Sequence, residues 1–312
     1  MRILVVGAGA IGGYFGARLA AAGRDVTFLV RPKRAELLVA HGLSVRSPKG
    51  DITIRSPQWV TEATLRGPFD LIILSCKAFD LDSAMESFAR AMGPATAVLP
   101  LLNGLAHIER LQKRFGAACV LGGQAQISTT LDADGRVIHL NDFHIMGYGE
   151  LDGSRSARIE AVNAALAGAS FDARLSTEIL QEMWEKWTFI ATLAGITCLM
   201  RACLGDIEAA GGRNLTLALF NECAAIAAEN GHGLRPRAGD WANKVLTAPR
   251  STLAASMLRD VEARNRTEHE QILGDLLARA RGSGAPTLEL CLVHMRAAEA
   301  RRSREARMTK PE

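Results

Sequence analysis

The stretch Gly7-Ala8-Gly9-Ala10-Ile11-Gly12 limits what this chain can fold into more than any other feature. It stands between a mostly β-branched run, Arg2-Ile3-Leu4-Val5-Val6, and the helix-like Tyr14 to Ala22. Strand, glycine turn and helix, in that order, are what a dinucleotide-binding unit requires. Gly7 permits the tight turn, Gly9 lets backbone approach a pyrophosphate, and Gly12 lets helix and strand pack closely. Free N–H groups at the positive end of the helix would hold the phosphates, with Ala8, Ala10 and Ile11 completing the cradle. A second apolar segment, Val26 to Val30, follows Gly23 at the distance a βαβ unit needs.

With 312 residues the chain has material for about two domains. A 48% hydrophobic, 22% charged composition belongs to an ordinary globular protein, and a net charge of +4 favours anionic small molecules over nucleic acid. The six cysteines (Cys76, Cys119, Cys198, Cys203, Cys223 and Cys291) form no CxxC, and the seven histidines are scattered, so reduced thiols and no metal site are expected. Arg2 and the apolar run behind it imitate an export signal, but cleavage there would destroy the glycine turn. A cytoplasmic location is therefore expected. No apolar run reaches the length of a membrane helix.

The second strand ends at Arg31-Pro32-Lys33-Arg34, and Arg31 lies nineteen residues past Gly12. An acid at this position would accept from the 2′-hydroxyl of NAD, whereas an arginine suits a 2′-phosphate, so NADP(H) is favoured; the alternative is a solvated loop of charges. Residues 45–60 suggest short strands around Pro48-Lys49-Gly50-Asp51, at an edge or in a lateral hairpin. Asp70 to Ser75 reads as a strand buried on both faces and ends at Lys77; Ala97 to Leu102 is another and ends at Asn103. Ligands bind at the carboxyl edge of a parallel sheet, so Lys77 is placed to meet phosphate or a substrate carboxylate, and Asn103 to bond a nicotinamide or keto-acid oxygen. A surface-turn lysine and a left-handed asparagine before Gly104 are the competing readings. Apolar segments at 118–122 and 125–129 and a hairpin at Asp134-Gly135 read as the later sheet with an antiparallel extension.

From about Ser176 long helical periodicity takes over, which predicts a Rossmann-type α/β domain over residues 1–174 and an all-α domain over 175–312. A frayed, solvated basic tail is expected from Arg301 onward. Ile179, Met183, Lys186, Ile190 and Leu193 share one face of a helix. Lys186 is thus a cation on a stripe that should face protein, where desolvation would lower its pKa toward that of a useful general acid. A snorkelling side chain or a surface pair with Glu182 would fit the spacing as well. Ser256 and Glu268 can reach one small ligand only if the helix breaks between them. Arg264-Asn265-Arg266-Thr267 offers that break, with Asn265 left-handed and Thr267 capping a new helix. The alanine-rich segments around 191–200 and 217–228 can pack within the domain or between subunits, which leaves a homodimer open.

Together, the glycine motif, Arg31, Lys77-Ala78, Asn103-Gly104, Glu182-Met183-Trp184-x-Lys186, and Ser256-Met257-Leu258-x-Asp260 with Thr267-Glu268 resemble the ketopantoate reductase (2-dehydropantoate 2-reductase) family over about residues 1–300. The resemblance implies an NADPH-dependent oxidoreductase that reduces ketopantoate to pantoate in pantothenate biosynthesis, in a cleft between the two domains. It implies Lys186 as the general acid and Glu268 as the residue that holds cofactor or Lys186 in position. It further implies Lys77 and Asn103 lining cofactor and substrate, Ser256 binding substrate, and Ser128 touching cofactor. Where the family carries substrate-binding asparagines after its lysine, this chain has Ile190, Ala194 and Leu204. Those departures leave open the same chemistry on a more apolar 2-keto acid. A catalytically silent NADP-binding sensor is the remaining alternative, and retention of Lys186 and Glu268 argues against it.

Overall fold

The computed structural model describes residues 1–282 and 284–308. The chain divides into two compact units, Met1–Leu180 and Gln181–Glu312. In the first unit the elements run β1 (Arg2–Val6), α1 (Ala10–Ala21), β2 (Asp25–Leu29), α2 (Pro32–His41), β3 (Leu43–Arg46), β4 (Ile52–Ile54), β5 (Trp59–Val60), β6 (Leu71–Leu74), α3 (Leu81–Phe88), β7 (Ala97–Pro100) and α4 (Ala106–Phe115). They continue through β8 (Gly122–Gln126), β9 (Thr129–Leu131), β10 (Val137–His139), β11 (Ile145–Gly149), α5 (Ala157–Leu166) and β12 (Asp172–Leu175).

Five strands form a parallel sheet in the order β5-β2-β1-β6-β7, with Ile3 opposite Val26 on one side and Leu71 on the other. β6 and β7 are wholly buried, as is β1 after Arg2. Their unbroken apolar runs are therefore what a sheet covered on both faces demands. The chain leaves β1 for β2 on one side and returns to β6 on the other, so a topological switch point lies at the carboxyl end of β1.

The later strands depart from the expected extension of this sheet. β8 pairs antiparallel with β11, which pairs parallel with β12, in a separate three-stranded sheet; β3, β4, β9 and β10 make another, in the order β4-β3-β10-β9. Among the described residues, the main sheet continues beyond β7 only as a bridge between Val98 and Val120. Pro100 ends β7 without an N–H to donate, and Gly123 lies so close to its carbonyl that a Cβ would collide. The two hairpins fall where their glycines are, with Gly50 at φ +94° and Gly135 at φ +77°.

Helix α6 (Ile179–Met200) begins at the end of the first unit and runs into the second, followed by α7 (Leu204–Ala209), α8 (Arg213–Glu229), α9 (Pro236–Leu246), α10 (Ser256–Glu262), a π-helical turn at Glu270–Gly274, α11 (Asp275–Ala278) and α12 (Pro286–Met308). The segments 191–200 and 217–228 lie in α6 and α8 and pack within the unit. A Cβ on Gly195 would come 2.9 Å from Leu219 and 3.3 Å from Cys291, so this glycine allows α6 its close approach. Glu222 on α8 accepts the N–H groups of Thr287 (3.1 Å) and Leu288 (2.8 Å) at the start of α12, capping a helix end from a neighbouring helix. α12 stays helical from Arg301 to Met308 instead of fraying, and Arg301 pairs with Glu305 one turn on, at 2.7 Å. Residues 309–312 of the expected tail lie outside the described residues. No helix among the described residues is long and apolar enough to cross a membrane.

Candidate active site

The glycine turn has the geometry that a pyrophosphate needs. Gly7 adopts φ +94°, a region that a side chain would strain. A Cβ on Gly12 would strike the Gly7 carbonyl and Ser75 Oγ, so this glycine sets how closely α1 lies on the sheet. A Cβ on Gly9 would meet nothing within 4 Å. Gly9 is also the N-cap of α1, with no side-chain cap and no acid in the first turn. Backbone donors at the positive helix end thus face open space that only a glycine leaves clear, and a dinucleotide phosphate fits this arrangement.

The other sites expected in this unit follow from parallel strands ending on one edge. Arg31 follows β2, Gly7 follows β1, Lys77 follows β6 and Asn103 follows β7. Arg31 is exposed and caps α2 in extended conformation, with Pro32 inside the first turn, so proline here starts a helix as well as ending a strand. Its guanidinium meets Asp80 at 3.0 Å and Ser83 Oγ at 3.4 Å. Lys77 is exposed ahead of a short 3-10 turn at Ala78–Asp80. The left-handed residue after β7 is Gly104, at φ +74°, which leaves Asn103 half-buried and free of the turn's strain. Ser128 does not join this edge; it lies between β8 and β9, where its N–H donates to Asn141 Oδ1 at 2.9 Å.

Two groups in this unit were not singled out in the sequence. Arg34 turns inward from the cationic cluster, and its Nε donates to the Ala8 carbonyl at 2.8 Å while Nη1 donates to Gly135 O at 2.8 Å. It therefore braces the glycine turn from outside. The sequence shows the cluster Arg31-Pro32-Lys33-Arg34, but no local pattern in it says which cation turns inward. Behind α1, the Tyr14 hydroxyl lies 2.6 Å from His144 Nδ1, and Ser47 Oγ lies 2.8 Å from His139 Nδ1. Residues from three distant segments make this network, which no local pattern announces.

On α6, Ile179, Met183 and Leu193 are buried, while Lys186 and Ile190, on the same stripe, keep partial exposure. The stripe faces protein except at the cation and at Ile190, one turn beyond it. Burial pushes the Lys186 ammonium down to about 8, and the carboxylate of Glu268 acts against that shift. Near neutral pH such a group is mostly charged yet can part with its proton.

Glu268 is half-buried on the irregular segment between α10 and the π-helical turn. The expected break between Ser256 and Glu268 is present: α10 ends at Glu262, and Arg264 takes the left-handed conformation at φ +55°, in place of Asn265. Thr267 does not cap the next helix; its hydroxyl lies 2.8 Å from Nδ1 of buried His269. Trp187, next to the lysine on α6, donates its indole N–H to the carbonyl of Ile272 at 2.9 Å and so ties α6 to the π-helical turn. π-turns of this kind recur at functional sites.

Ser256 is exposed at the first position of α10. The N–H preceding it, on Ala255, lies 3.4 Å from Thr197 Oγ1, and Thr197 stands three turns beyond Lys186 on nearly the same line of α6. Of the three apolar departures, Ala194 and Leu204 are in the core at 2% and 1% exposure, and only Ile190 is partly open.

A parallel sheet with an open glycine turn at its switch point, and a helical unit carrying a lysine that burial makes more acidic, fit a nicotinamide-dinucleotide-dependent oxidoreductase. The family model "Ketopantoate reductase PanE/ApbA" matches residues 3–153, and its C-terminal counterpart matches residues 178–299. The chain belongs to the ketopantoate reductase family and is an NADP-dependent oxidoreductase. It is 36% identical over 303 residues to an uncharacterized oxidoreductase, YkpB, of Bacillus subtilis (96% of this chain, 99% of the other). It is 30% identical over 292 residues to 2-dehydropantoate 2-reductase of Archaeoglobus fulgidus (91% and 92%). Among solved structures, 2-dehydropantoate 2-reductase from Geobacter metallireducens superposes with a TM-score of 0.86 at 30% identity, over 96% of this chain and all of the other.

Proposed function

We propose that this protein reduces a 2-keto acid to the 2-hydroxy acid at the expense of NADPH, with 2-dehydropantoate as the foremost substrate and pantothenate biosynthesis as the setting. The observation that carries the reading is Lys186, a lysine drawn down to about 8 on a mostly protein-facing stripe. When bound, the dinucleotide would supply hydride for the C2 carbonyl carbon. Lys186 Nζ donates a proton to the carbonyl oxygen as charge develops there, and its positive charge attracts the substrate carboxylate beforehand. Glu268 keeps the ammonium charged at working pH, opposing the desolvation that makes it acidic.

On the first unit, Gly7, Ala8, Gly9, Ala10, Ile11 and Gly12 hold the pyrophosphate, Arg31 pairs with the 2′-phosphate, and Lys77 and Asn103 serve cofactor and substrate. Ser256 binds substrate. The sheet topology, which ends four neighbouring strands on one edge, supports the grouping of Arg31, Gly7, Lys77 and Asn103. Ser128 is the weakest member, since it stands apart from that edge.

A second reading, the same chemistry on a more apolar 2-keto acid, is favoured by Ile190, the partly open position one turn beyond Lys186. A hydroxylated substrate finds no hydrogen-bonding side chain at that position, and a site lacking such bonds loses preference for a polar ligand. Purified protein, NADPH and a panel of 2-keto acids test both readings. Turnover of ketopantoate above all others supports the first, and turnover of an apolar acid in its place supports the second. Lys186→Ala separates an enzyme from a sensor, because an enzyme loses turnover and keeps NADPH binding.

A further inference from the structure

The strand end that selects the adenosine ribose has no acid of its own, yet the fold delivers one. β2 and β6 flank β1, so residues that follow them stand on either side of the glycine turn. Arg31 follows β2, and Asp80 closes the 3-10 turn after β6 with its N–H bonded to Lys77 O at 2.9 Å. Asp80 Oδ1 reaches Arg31 Nη2 at 3.0 Å. Ser83 takes a longer contact from the same nitrogen and donates to the Asp80 carbonyl at 3.0 Å, fixing the turn that carries the acid.

This pair adds little to stability, because the Arg31 side chain is 70% and that of Asp80 33% exposed, and such pairs are worth little in water. Its effect lies in what it does to a ligand. A carboxylate on the guanidinium occupies part of the fork that would grip a phosphate, and it repels the incoming dianion. The same carboxylate is the acceptor that a ribose 2′-hydroxyl needs and that the end of β2 does not provide.

We propose that Asp80 is a cofactor-specificity residue: it holds back the grip of Arg31 on the 2′-phosphate and offers a 2′-hydroxyl an acceptor, so that the chain binds NADH as well as NADPH. The inference rests on the reading of Arg31 as the partner of the 2′-phosphate. Asp80→Asn keeps the shape of the side chain and removes its charge, at a partly exposed position.

The experiment is calorimetric binding of NADP⁺ and NAD⁺ to the full-length wild type, D80N and Arg31→Ala, with the NADPH and NADH forms of the rate assay in parallel. D80N is expected to tighten NADP⁺ by about three- to tenfold, the scale of one charge a few ångströms from a phosphate in water, and to weaken NAD⁺. The wild-type preference for NADP⁺ therefore rises in the variant. If R31A loses NADP⁺ affinity while D80N leaves the ratio of the two affinities within twofold of wild type, Asp80 has no part in the choice. If R31A leaves NADP⁺ binding intact, the assignment of Arg31 fails, and the inference about Asp80 falls with it.

Discussion

The Glu268→Gln variant turns the electrostatics around Lys186 into a rate measurement. With the ammonium at about 8, roughly nine-tenths of the lysines are charged at pH 7 and about one-tenth at pH 9. Keto-acid reduction consumes the proton of the charged form, so kcat/KM should be level at neutral pH and fall about tenfold between pH 7 and 9. Oxidation of the hydroxy acid needs the neutral amine and should rise over the same interval. Burial lowers the lysine and Glu268 raises it, so removing the carboxylate must move both limbs to lower pH. At pH 8 the variant then reduces more slowly than wild type, and at pH 6, where both lysines are charged, the gap narrows. The assay is NADPH oxidation followed across pH 6 to 10 at subsaturating keto acid, with cofactor binding measured beside it. A wild-type limb near the ordinary lysine range, or an alkaline shift in E268Q, refutes the argument.

Three further outcomes follow from the packing. Gly12→Ala places a Cβ against the fixed Gly7 carbonyl and should lower the thermal midpoint, at a cost of about 1–3 kcal/mol, along with dinucleotide affinity. Gly9→Ala has open space and ordinary backbone at φ −82°, so melting should change little while calorimetric NADP⁺ affinity falls at least about tenfold. Trp187→Phe leaves the Ile272 carbonyl without its indole donor and should cost about 1–3 kcal/mol in urea unfolding, with kcat reduced through the displaced π-helical turn.

Much of this site was legible because its signals are local. The glycine turn, the buried runs before Lys77 and Asn103, and the stripe carrying Lys186 each lie within about twenty residues, the range over which strand and helix periods operate. The break between Ser256 and Glu268 was readable from Arg264-Asn265-Arg266-Thr267, although the left-handed residue is Arg264. Partners brought in by tertiary structure were not readable. Asp80 reaches Arg31 from two strands away, Arg34 reaches Ala8 and Gly135 together, and His139 and His144 meet Ser47 and Tyr14 from distant segments. The sheet that the later strands join is hidden for the same reason: apolar runs at 118–129 fit any sheet, and the proline ending β7 and the glycines opening β8 decide which one.

The measurement that bears most directly on the account is NADPH oxidation by purified wild type and Lys186→Ala, with ketopantoate beside a series of more apolar 2-keto acids and with NADPH binding determined for both proteins. Wild type is expected to turn over a 2-keto acid, and the variant to lose at least about a hundredfold in kcat, the lower range for a general acid, at unchanged NADPH affinity. Equal turnover in the two proteins, or tight NADPH binding with no 2-keto acid reduced by wild type, would contradict that expectation.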